Sequence, residues 1–248
     1  MARPGTTTEL KTSVLGDLRQ LARTAPALAR RQGWDYLREL GNAGRRDQLA
    51  ALFARGDAPD GPHGALEGLI VGNLFGIPEA YLANPLLKID PTWRGKTFEG
   101  DTGFNRLAPL ARYAMPVIAP LYRGLRRVGP EMVGFGFTHR IETAAISPYN
   151  TVRALDYSPD EYRNPSVRTF PIKRTRDEIV ELLPGLYLGR ALLTMPNGEV
   201  RLIAYFALRE FADENSQRVE PPCGSVISMW TSATAPHTKS APPRYIST

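Results

Sequence analysis

Residues 185–210 read GLYLGRALLTMPNGEVRLIAYFALRE and carry the clearest structural pattern in the chain. Two apolar runs, residues 186–195 and 200–208, flank Pro196, Asn197 and Gly198. Asn-Gly between strand-like runs is the strongest short-range signal of a β-hairpin, because both central residues of a type I′ turn need positive φ. The sequence therefore predicts a hairpin with a two-residue turn at Asn197 and Gly198.

The second run of this hairpin alternates in polarity. Arg201 and Arg209 fall on one face. The other face is apolar and consists of Val200, Leu202, Ala204, Phe206 and Leu208. A period of two residues is typical of a β-strand, and an apolar face of this kind predicts a strand with one buried face.

Further strand-like runs precede the hairpin, whereas amphipathic helical patterns fill the first part of the chain. The runs cover residues 66–75, 92–98, 103–107, 133–141, 151–157, 167–172 and 176–182, and residues 226–230 are a possible last strand. Gly134 and Gly136 within one run indicate strong curvature. Helices followed by consecutive strands predict an α+β fold with N-terminal helices and a mainly antiparallel sheet, which curvature closes into a β-barrel around an apolar cavity.

Three segments follow from this order: a helical N-terminal extension over residues 1–60, a β-barrel ligand-binding domain over 61–211, and a Pro-rich C-terminal extension over 212–248. The helices are expected to pack on the barrel. An alternative is a basic surface that touches anionic lipid, since Arg19, Arg23, Arg30 and Arg31 are close in sequence.

Residues 107–128 are apolar but are interrupted by Pro109, Pro116 and Pro120. Prolines at this density exclude a central strand and a straight helix. The segment is therefore predicted to form broken helices or a mobile lid over one open end of the sheet.

Composition limits the class of protein. The 248 residues are 42% hydrophobic and 23% charged, which is ordinary for a globular protein, and the net charge is +6. No run of like charges accompanies this excess, which argues against a nucleic-acid partner. A single cysteine, Cys223, allows no intrachain disulfide, and no apolar run is long enough for stable membrane insertion. The sequence predicts a cytoplasmic protein.

Common catalytic motifs are absent from the sequence. It contains neither nucleotide-binding glycine motif and no Gly-x-Ser-x-Gly nucleophile motif. Three histidines, His63, His139 and His237, are too few and too scattered for a histidine-rich metal site. We therefore expect no metal and no cofactor.

Trp93, Arg94, Gly95 and Lys96 follow a helical lead-in and precede consecutive antiparallel strands. This pattern, over roughly residues 66–208, resembles the calycin group of lipocalin-like barrels. The resemblance implies an up-and-down barrel that binds a small hydrophobic molecule, with Trp93 in a structural role at the closed end. The sequence departs from the group in three ways. Pro91-Thr92-Trp93 stands where the group has Gly-x-Trp, the strand at residues 66–75 is additional, and small lipocalins have no comparable Pro-rich insert.

His139 is the most informative titratable residue. It continues an apolar strand face formed by Val133, Phe135, Phe137 and Ile141, so we expect it to face the interior. A buried imidazole can act as a general acid or base, although a core histidine bonded to a backbone carbonyl is the more common case. If residues 138–145 pair with 151–157, then Asp156 or Tyr157 lies near His139 and can orient it.

Other side chains complete the predicted site. Asp177 and Glu178 are either exposed at the start of a strand or include one carboxylate turned inward with a raised pKa. Tyr187 and Tyr205 are possible hydrogen-bond donors to an oxyanion. The predicted catalytic residues are His139, Asp156, Tyr187, Tyr205 and Asp177, and the predicted substrate-binding residues are Phe135, Phe137, Lys96, Tyr157 and Phe206.

These features favour a cofactor-independent enzyme that isomerises, dehydrates or cyclises a small hydrophobic metabolite by acid–base chemistry. One alternative is a non-catalytic carrier of a lipid, pigment or heme, and another is a surface-associated structural protein. The oligomeric state stays open at this stage. Two or more mutually bonded titratable groups deep in the barrel would favour the enzyme over the carrier.

Overall fold

The computed structural model describes residues 7–75, 92–167 and 171–211, which all lie in one compact unit, Met1–Ala212. The helices in these ranges are α1 Thr7–Ala22, α2 Pro26–Asn42, α3 Arg46–Phe53 and α4 Ala111–Ile118. The strands are β1 Gly64–Val71, β2 Trp93–Glu99, β3 Thr102–Leu107, β4 Arg126–Val128, β5 Glu131–Thr143, β6 Thr151–Asp156, β7 Thr175–Leu183, β8 Leu186–Thr194 and β9 Val200–Glu210.

Eight of the described strands close into an antiparallel barrel. Each strand pairs with the next along the chain, apart from β4, and β9 returns to β1 with Phe206 opposite Ile70. β4 is an extra strand on β5, while β3 pairs with the other edge of β5. The predicted α+β architecture with N-terminal helices and a closed antiparallel barrel is therefore confirmed. It is also compatible with the calycin-like resemblance.

Buried side chains project into the barrel interior, and the expected apolar cavity stays a prediction. An eight-stranded barrel is just wide enough for side chains to fill it or for one small ligand to bind. Here the buried interior residues come from alternate strand positions and include Leu66, Phe98, Leu107, Phe137, Leu155, Ile179, Tyr187, Phe206 and Leu208.

The first three helices cover the outer face of strands β1, β7, β8 and β9. Trp34 and Leu37 of α2 share a buried cluster with Val180, Leu186 and Leu188 on that face. Consequently residues Ala204 to Leu208 of β9 are buried on both faces, whereas one buried face was expected. Alternation of polar and apolar residues within one strand does not show whether a helix packs on the strand's more polar face.

The hairpin between β8 and β9 forms, but its turn differs from the prediction. Gly198 N–H donates to Met195 O (2.9 Å) and Met195 N–H donates to Glu199 O (2.7 Å). Positive φ in this loop, which the structure describes fully, is confined to Gly198 at 85°. The loop therefore has three residues, with Pro196 placed where its fixed φ favours a type I turn, and Gly198 follows in the left-handed region.

A bulge in β5 changes the predicted inner face of that strand. Asn105 lies opposite Gly134 and Gly103 opposite Phe137, so β5 contains one extra residue over this stretch. Phe135 absorbs it with a φ of 51°. Beyond the bulge, Met132 replaces Val133 on the inner face, while Phe137 and His139 keep the predicted orientation.

Helix α4 lies within the Pro-rich segment and closes one end of the barrel. Ala111, Met115 and Tyr122 are buried in the same cluster as the interior residues. The predicted broken helix is thus present, while its mobility stays a prediction. At the end of the predicted strand at 167–172, Ile172 begins a 3₁₀ turn, Ile172–Arg174. Residues 168–170 of that prediction and the possible strand at 226–230 lie outside the described residues.

Candidate functional site

Four buried polar side chains meet inside the barrel: Lys96, Asn105, Tyr157 and Asp177, hereafter the interior polar cluster. Lys96 on β2 and Asp177 on β7 form an ion pair, with 2.8 Å between Nζ and Oδ2. The Tyr157 hydroxyl, just beyond β6, donates to Asp177 Oδ2 (2.8 Å) and accepts a hydrogen bond from Lys96 Nζ (2.5 Å). These residues meet because each occupies an inward strand position or directly follows one.

Asn105 connects the ion pair to the barrel wall. Its Oδ1 accepts hydrogen bonds from Lys96 Nζ and Trp93 Nε1, both at 2.9 Å. Its Nδ2 donates to Phe135 O (3.0 Å) and Tyr157 Oη (3.2 Å). Trp93, for which the resemblance implied a structural role, therefore also donates a hydrogen bond to this cluster.

Aromatic rings surround the Lys96 ammonium. Nζ lies 5.2–5.5 Å from the ring centroids of Trp93, Phe137, Tyr157 and Phe206. Such distances allow cation–π attraction, which is stronger when the ammonium is desolvated. The rings also exclude water from the ion pair.

Burial controls the protonation of the cluster. It lowers the pKa of Lys96, against the opposing charge and hydrogen bond of Asp177. It also raises the pKa of Tyr157 well above its usual value, and the Asp177 charge adds to this shift. Tyr157 is therefore a neutral phenol at neutral pH, and its hydroxyl donates a hydrogen bond to the Asp177 carboxylate.

His139 is buried, with 5% of its surface exposed, as its strand neighbours predict. Its Nδ1 accepts a hydrogen bond from Arg153 Nη1 (3.0 Å), and its ring contacts Phe98 edge-on. Among the described residues, Nε2 is buried without a hydrogen-bond partner. Burial, followed by the Arg153 charge, lowers the pKa of His139, so the imidazole is neutral at pH 7.

Arg153 fixes this histidine at the other end of the barrel from α4. It donates to Pro59 O (2.8 Å) and Asp60 O (2.7 Å), in the loop that precedes β1. The Phe137 ring lies between His139 and Tyr157, with centroids 6.2 and 5.4 Å away. His139 is therefore a neighbour of the interior polar cluster and does not belong to it.

The expected pairing of His139 with Asp156 does not form. β5 and β6 pair as predicted, but Leu155 lies opposite His139, and Asp156 lies opposite Thr138 on the outer face. The Asp156 carboxylate accepts hydrogen bonds from the backbone and hydroxyl of Ser158, beside an outer groove. Adjacent strand residues point to opposite faces, so Arg153 contacts His139 and Asp156 does not.

The two predicted tyrosine donors lie on different sides of the barrel wall. Tyr187 belongs to the interior cluster of buried residues, and burial raises its pKa. Tyr205 lies under the helices, where its ring is 6.4 Å from that of Phe75. Tyr205 is therefore separated by the barrel wall from the site in which it was predicted to act.

The predicted substrate-binding residues converge more closely. Lys96 and Tyr157 are cluster members, and Phe137 and Phe206 line the cluster. Phe135 lies one layer further out, stacked on Tyr122 at 4.8 Å, and its N–H donates to the Tyr122 hydroxyl (2.6 Å). Their roles with a substrate stay predictions.

Asp177 and Glu178 are both buried, so neither is the exposed start of a strand. Asp177 turns inward. Glu178 faces the outer side, where it pairs with Arg190 at 2.8 Å beneath the loop after β5. Two consecutive buried carboxylates on opposite faces of one strand each require a cation, and the structure supplies Lys96 and Arg190.

Sequence reasoning missed Asn105 and Arg153. Asn105 alternates with Gly103 and Leu107 in β3, a signal that it shares the inward face. Arg153 stands between Val152 and Ala154 in a strand that is buried along most of its length, and a charged residue there needs a buried partner. Both signals were present, but they acquire meaning only once the partner strands are known.

No match is found to a protein-family model, to a curated protein sequence or to a solved structure. Within residues 7–75, 92–167 and 171–211, no group of three His, Cys, Asp or Glu side chains is arranged to hold a metal ion. In the same ranges, no helix combines the length and apolar character needed to cross a bilayer.

Proposed function

We propose that this protein is a cofactor-independent enzyme that transforms a small, mainly apolar metabolite by proton transfer inside the barrel. The observation that carries the proposal is the bonded set of Lys96, Tyr157 and Asp177, buried among aromatic rings. A buried ion pair is costly to desolvate, and strongly perturbed titratable groups concentrate at functional sites.

The chemistry follows from the positions of these groups. The Asp177 carboxylate accepts a proton from a substrate C–H or O–H bond. The Tyr157 phenol and the Lys96 ammonium then donate hydrogen bonds to the oxygen on which negative charge develops. Return of the proton to another atom gives an isomer or cyclised product, and its transfer to a departing hydroxyl releases water.

The substrate would lie between the interior polar cluster and helix α4. Met115 and Tyr122 separate the cluster from solvent at this end, and both belong to the Pro-rich segment. Substrate binding therefore requires displacement of these side chains, and Trp93, Phe137 and Phe206 would contact its apolar part. An apolar contact surface with few polar groups is typical of small-molecule sites.

A carrier of a lipid, pigment or heme is the second candidate. It is favoured by the complete hydrogen bonding within the cluster: Lys96 has three acceptors, namely Asn105, Tyr157 and Asp177. A cluster whose polar groups all hydrogen-bond to one another can also hold the shape of a ligand-binding barrel without catalysing a reaction. The cytoplasmic location and the lack of a nucleic-acid partner stay predictions under either function.

Native mass spectrometry of freshly purified protein, followed by chromatographic identification of the released molecule, tests the proposal. Tyr157→Phe removes the inner hydroxyl and keeps the ring. Tyr205→Phe is the matched control, since it removes a buried hydroxyl on the outer face. We expect wild type and Tyr205→Phe to convert the identified molecule, and Tyr157→Phe to bind it with conversion slowed at least about 10²-fold.

Two outcomes would count against catalysis. If wild-type protein returns the bound molecule unchanged under all conditions, the carrier is the correct function. If conversion by Tyr157→Phe equals that by Tyr205→Phe, the acid–base role of the cluster is wrong.

A further inference from the structure

The segment that closes the barrel is apolar on its outward side as well as on its buried side. Leu110, Tyr113 and Val117 are exposed by 51%, 66% and 83%, and Leu121 in the following turn is exposed by 84%. The first three recur at helical spacing and form one stripe along α4, opposite the buried residues Ala111 and Met115. Large apolar side chains at this exposure mark an interaction surface.

Four arginines belong to the same segment as this apolar stripe. Residues 107–130 contain Arg112, Arg123, Arg126 and Arg127 and no acidic residue. All four are exposed. In the described part of the chain none of them forms an ion pair: Arg123 and Arg127 bond to backbone carbonyls, and Arg112 and Arg126 lie over aromatic rings.

The other basic part of the molecule has a different use. Arg19 donates to Leu182 O and Arg55 O, and Arg30 pairs with Glu210, so these arginines fasten the helices to the barrel. Arg19 and Arg30 are therefore used within the fold, whereas Arg112, Arg123, Arg126 and Arg127 belong to the same segment as the exposed apolar side chains at α4.

We propose that residues 110–127 dock on the surface of an anionic lipid bilayer. The apolar stripe enters the boundary between headgroups and acyl chains, and the arginine guanidinium groups bind lipid phosphates and carboxylates. A segment that combines an exposed apolar stripe with four exposed arginines and no acidic residue matches a planar anionic surface. Docking turns the α4 end of the barrel toward the membrane, a property beyond the proposed reaction.

Vesicle flotation tests this docking. Wild-type protein is mixed with vesicles of phosphatidylcholine alone or with vesicles that also contain phosphatidylserine. Val117→Ser/Leu121→Ser removes apolar side chains, and its control is Tyr149→Ser, at a tyrosine that is 71% exposed elsewhere on the protein. Arg123→Gln/Arg127→Gln removes two positive charges, and its control is Arg23→Gln/Arg31→Gln, which removes the same charge. All of these positions are exposed, and circular dichroism verifies folding.

We expect wild-type binding that requires phosphatidylserine and weakens with added salt. Arg123→Gln/Arg127→Gln should weaken vesicle binding roughly 30-fold. Val117→Ser/Leu121→Ser should weaken it at least about tenfold. Both controls should bind like wild type. Tyr157→Phe should also bind like wild type, so failure of the proposed reaction leaves the docking test intact.

Three results would overturn the proposal. The first is that wild-type protein floats with neither kind of vesicle. The second is that the control variants lose as much binding as Val117→Ser/Leu121→Ser and Arg123→Gln/Arg127→Gln. The third is self-association in sedimentation that Val117→Ser/Leu121→Ser abolishes without any vesicle binding, which would assign the stripe to a second copy of the chain.

Discussion

At the scale of single residues, the buried ion pair between Lys96 and Asp177 carries a large desolvation cost. Lys96 lies in a strand that reads Trp-Arg-Gly-Lys-Thr-Phe, where alternation with Arg94 gives no sign of burial, yet 2% of its surface is exposed. An ammonium group cannot lose its hydration without a partner. Asp177 provides the countercharge, and Asn105 and Tyr157 provide the other acceptors.

Breaking this ion pair from one side should be costly. Asp177→Asn leaves the Lys96 charge buried without a counterion, and we expect the free energy of unfolding to fall by about 3–5 kcal/mol. The double variant Lys96→Met/Asp177→Leu removes both charges and should regain most of that loss. Urea denaturation measures both values.

Glu199→Gln is the control for this comparison, because it breaks an exposed ion pair with Arg201 and should leave stability unchanged. Equal effects of Asp177→Asn and Glu199→Gln would show that the interior pair is hydrated in solution.

His139 should make stability depend on pH. Its folded-state pKa is lower than the ordinary value of 6.5, so the unfolded chain binds a proton first as the pH falls. Stability should therefore decrease below about pH 6.5 and level off below the folded pKa, with a slope of at most about 1.4 kcal/mol per pH unit from this residue.

His139→Gln should flatten this part of the curve, measured by urea denaturation from pH 7.5 down to pH 5 at fixed ionic strength (roughly the range over which histidines titrate). His63→Gln, at an exposed position, should retain the wild-type slope. A slope that survives in His139→Gln would assign the proton uptake to other groups.

At the scale of secondary-structure elements, loops and bulges adjust what alternation alone predicts. Pro196 changes a two-residue turn into a three-residue loop, and Phe135 inserts a bulge that exchanges Val133 for Met132 on the inner face of β5. The bulge moves the β5 residues that precede it by one position, and a shift of one position exchanges the two faces of a strand.

Gly198 is required by the left-handed backbone of the β8–β9 loop. Its φ is 85°, and a Cβ at this position would meet no atom within 4 Å, so a substitution changes backbone strain alone. We expect Gly198→Val to lower stability by about 1–2 kcal/mol and to reduce Tm. Gly198→Asn should cost less, because asparagine tolerates this region.

Gly61→Val is the matched control, since Gly61 has equal space around its Cβ position and does not have positive φ. An unchanged melting transition for Gly198→Val would disprove the turn geometry.

At the scale of the whole molecule, the helices and the barrel form one packed structure. Gly41 of α2 lies against the backbone of β1, where a Cβ would approach Gly72 N to 2.5 Å. The close approach of helix and strand allows Trp34 and Leu37 to pack on the outer face of the barrel. The helical extension is therefore a structural part of the folded unit.

Two glycine-to-alanine substitutions distinguish the effect of this close packing on stability from the effect of helix propensity. Gly41→Ala should destabilise the protein by about 1–3 kcal/mol, because backbone atoms must move. Gly16→Ala, in α1, meets no atom within 4 Å and should stabilise by up to about 1 kcal/mol. Thermal and urea denaturation measure both, and stabilisation by Gly41→Ala would show that α2 does not dock on β1 in this way.

Much of the fold was determined by the sequence itself. The order of helices before strands, the hairpin at residues 186–208 and the inward face of Phe137 and His139 follow from local periodicity, because a side chain's face depends on its neighbours in the same strand. The sequence also identified Lys96, Tyr157 and Asp177 as candidate site residues, each on separate grounds, without showing that they touch.

The tertiary structure alone decided which charges meet. Asp177 pairs with Lys96, which is 81 positions earlier in the chain, and His139 meets Arg153 and not Asp156. Such contacts depend on strand register, on the bulge at Phe135 and on closure of β3 onto β5. A shift of one residue reverses the face of a side chain, so the site is fixed only when all strands of the barrel pair together.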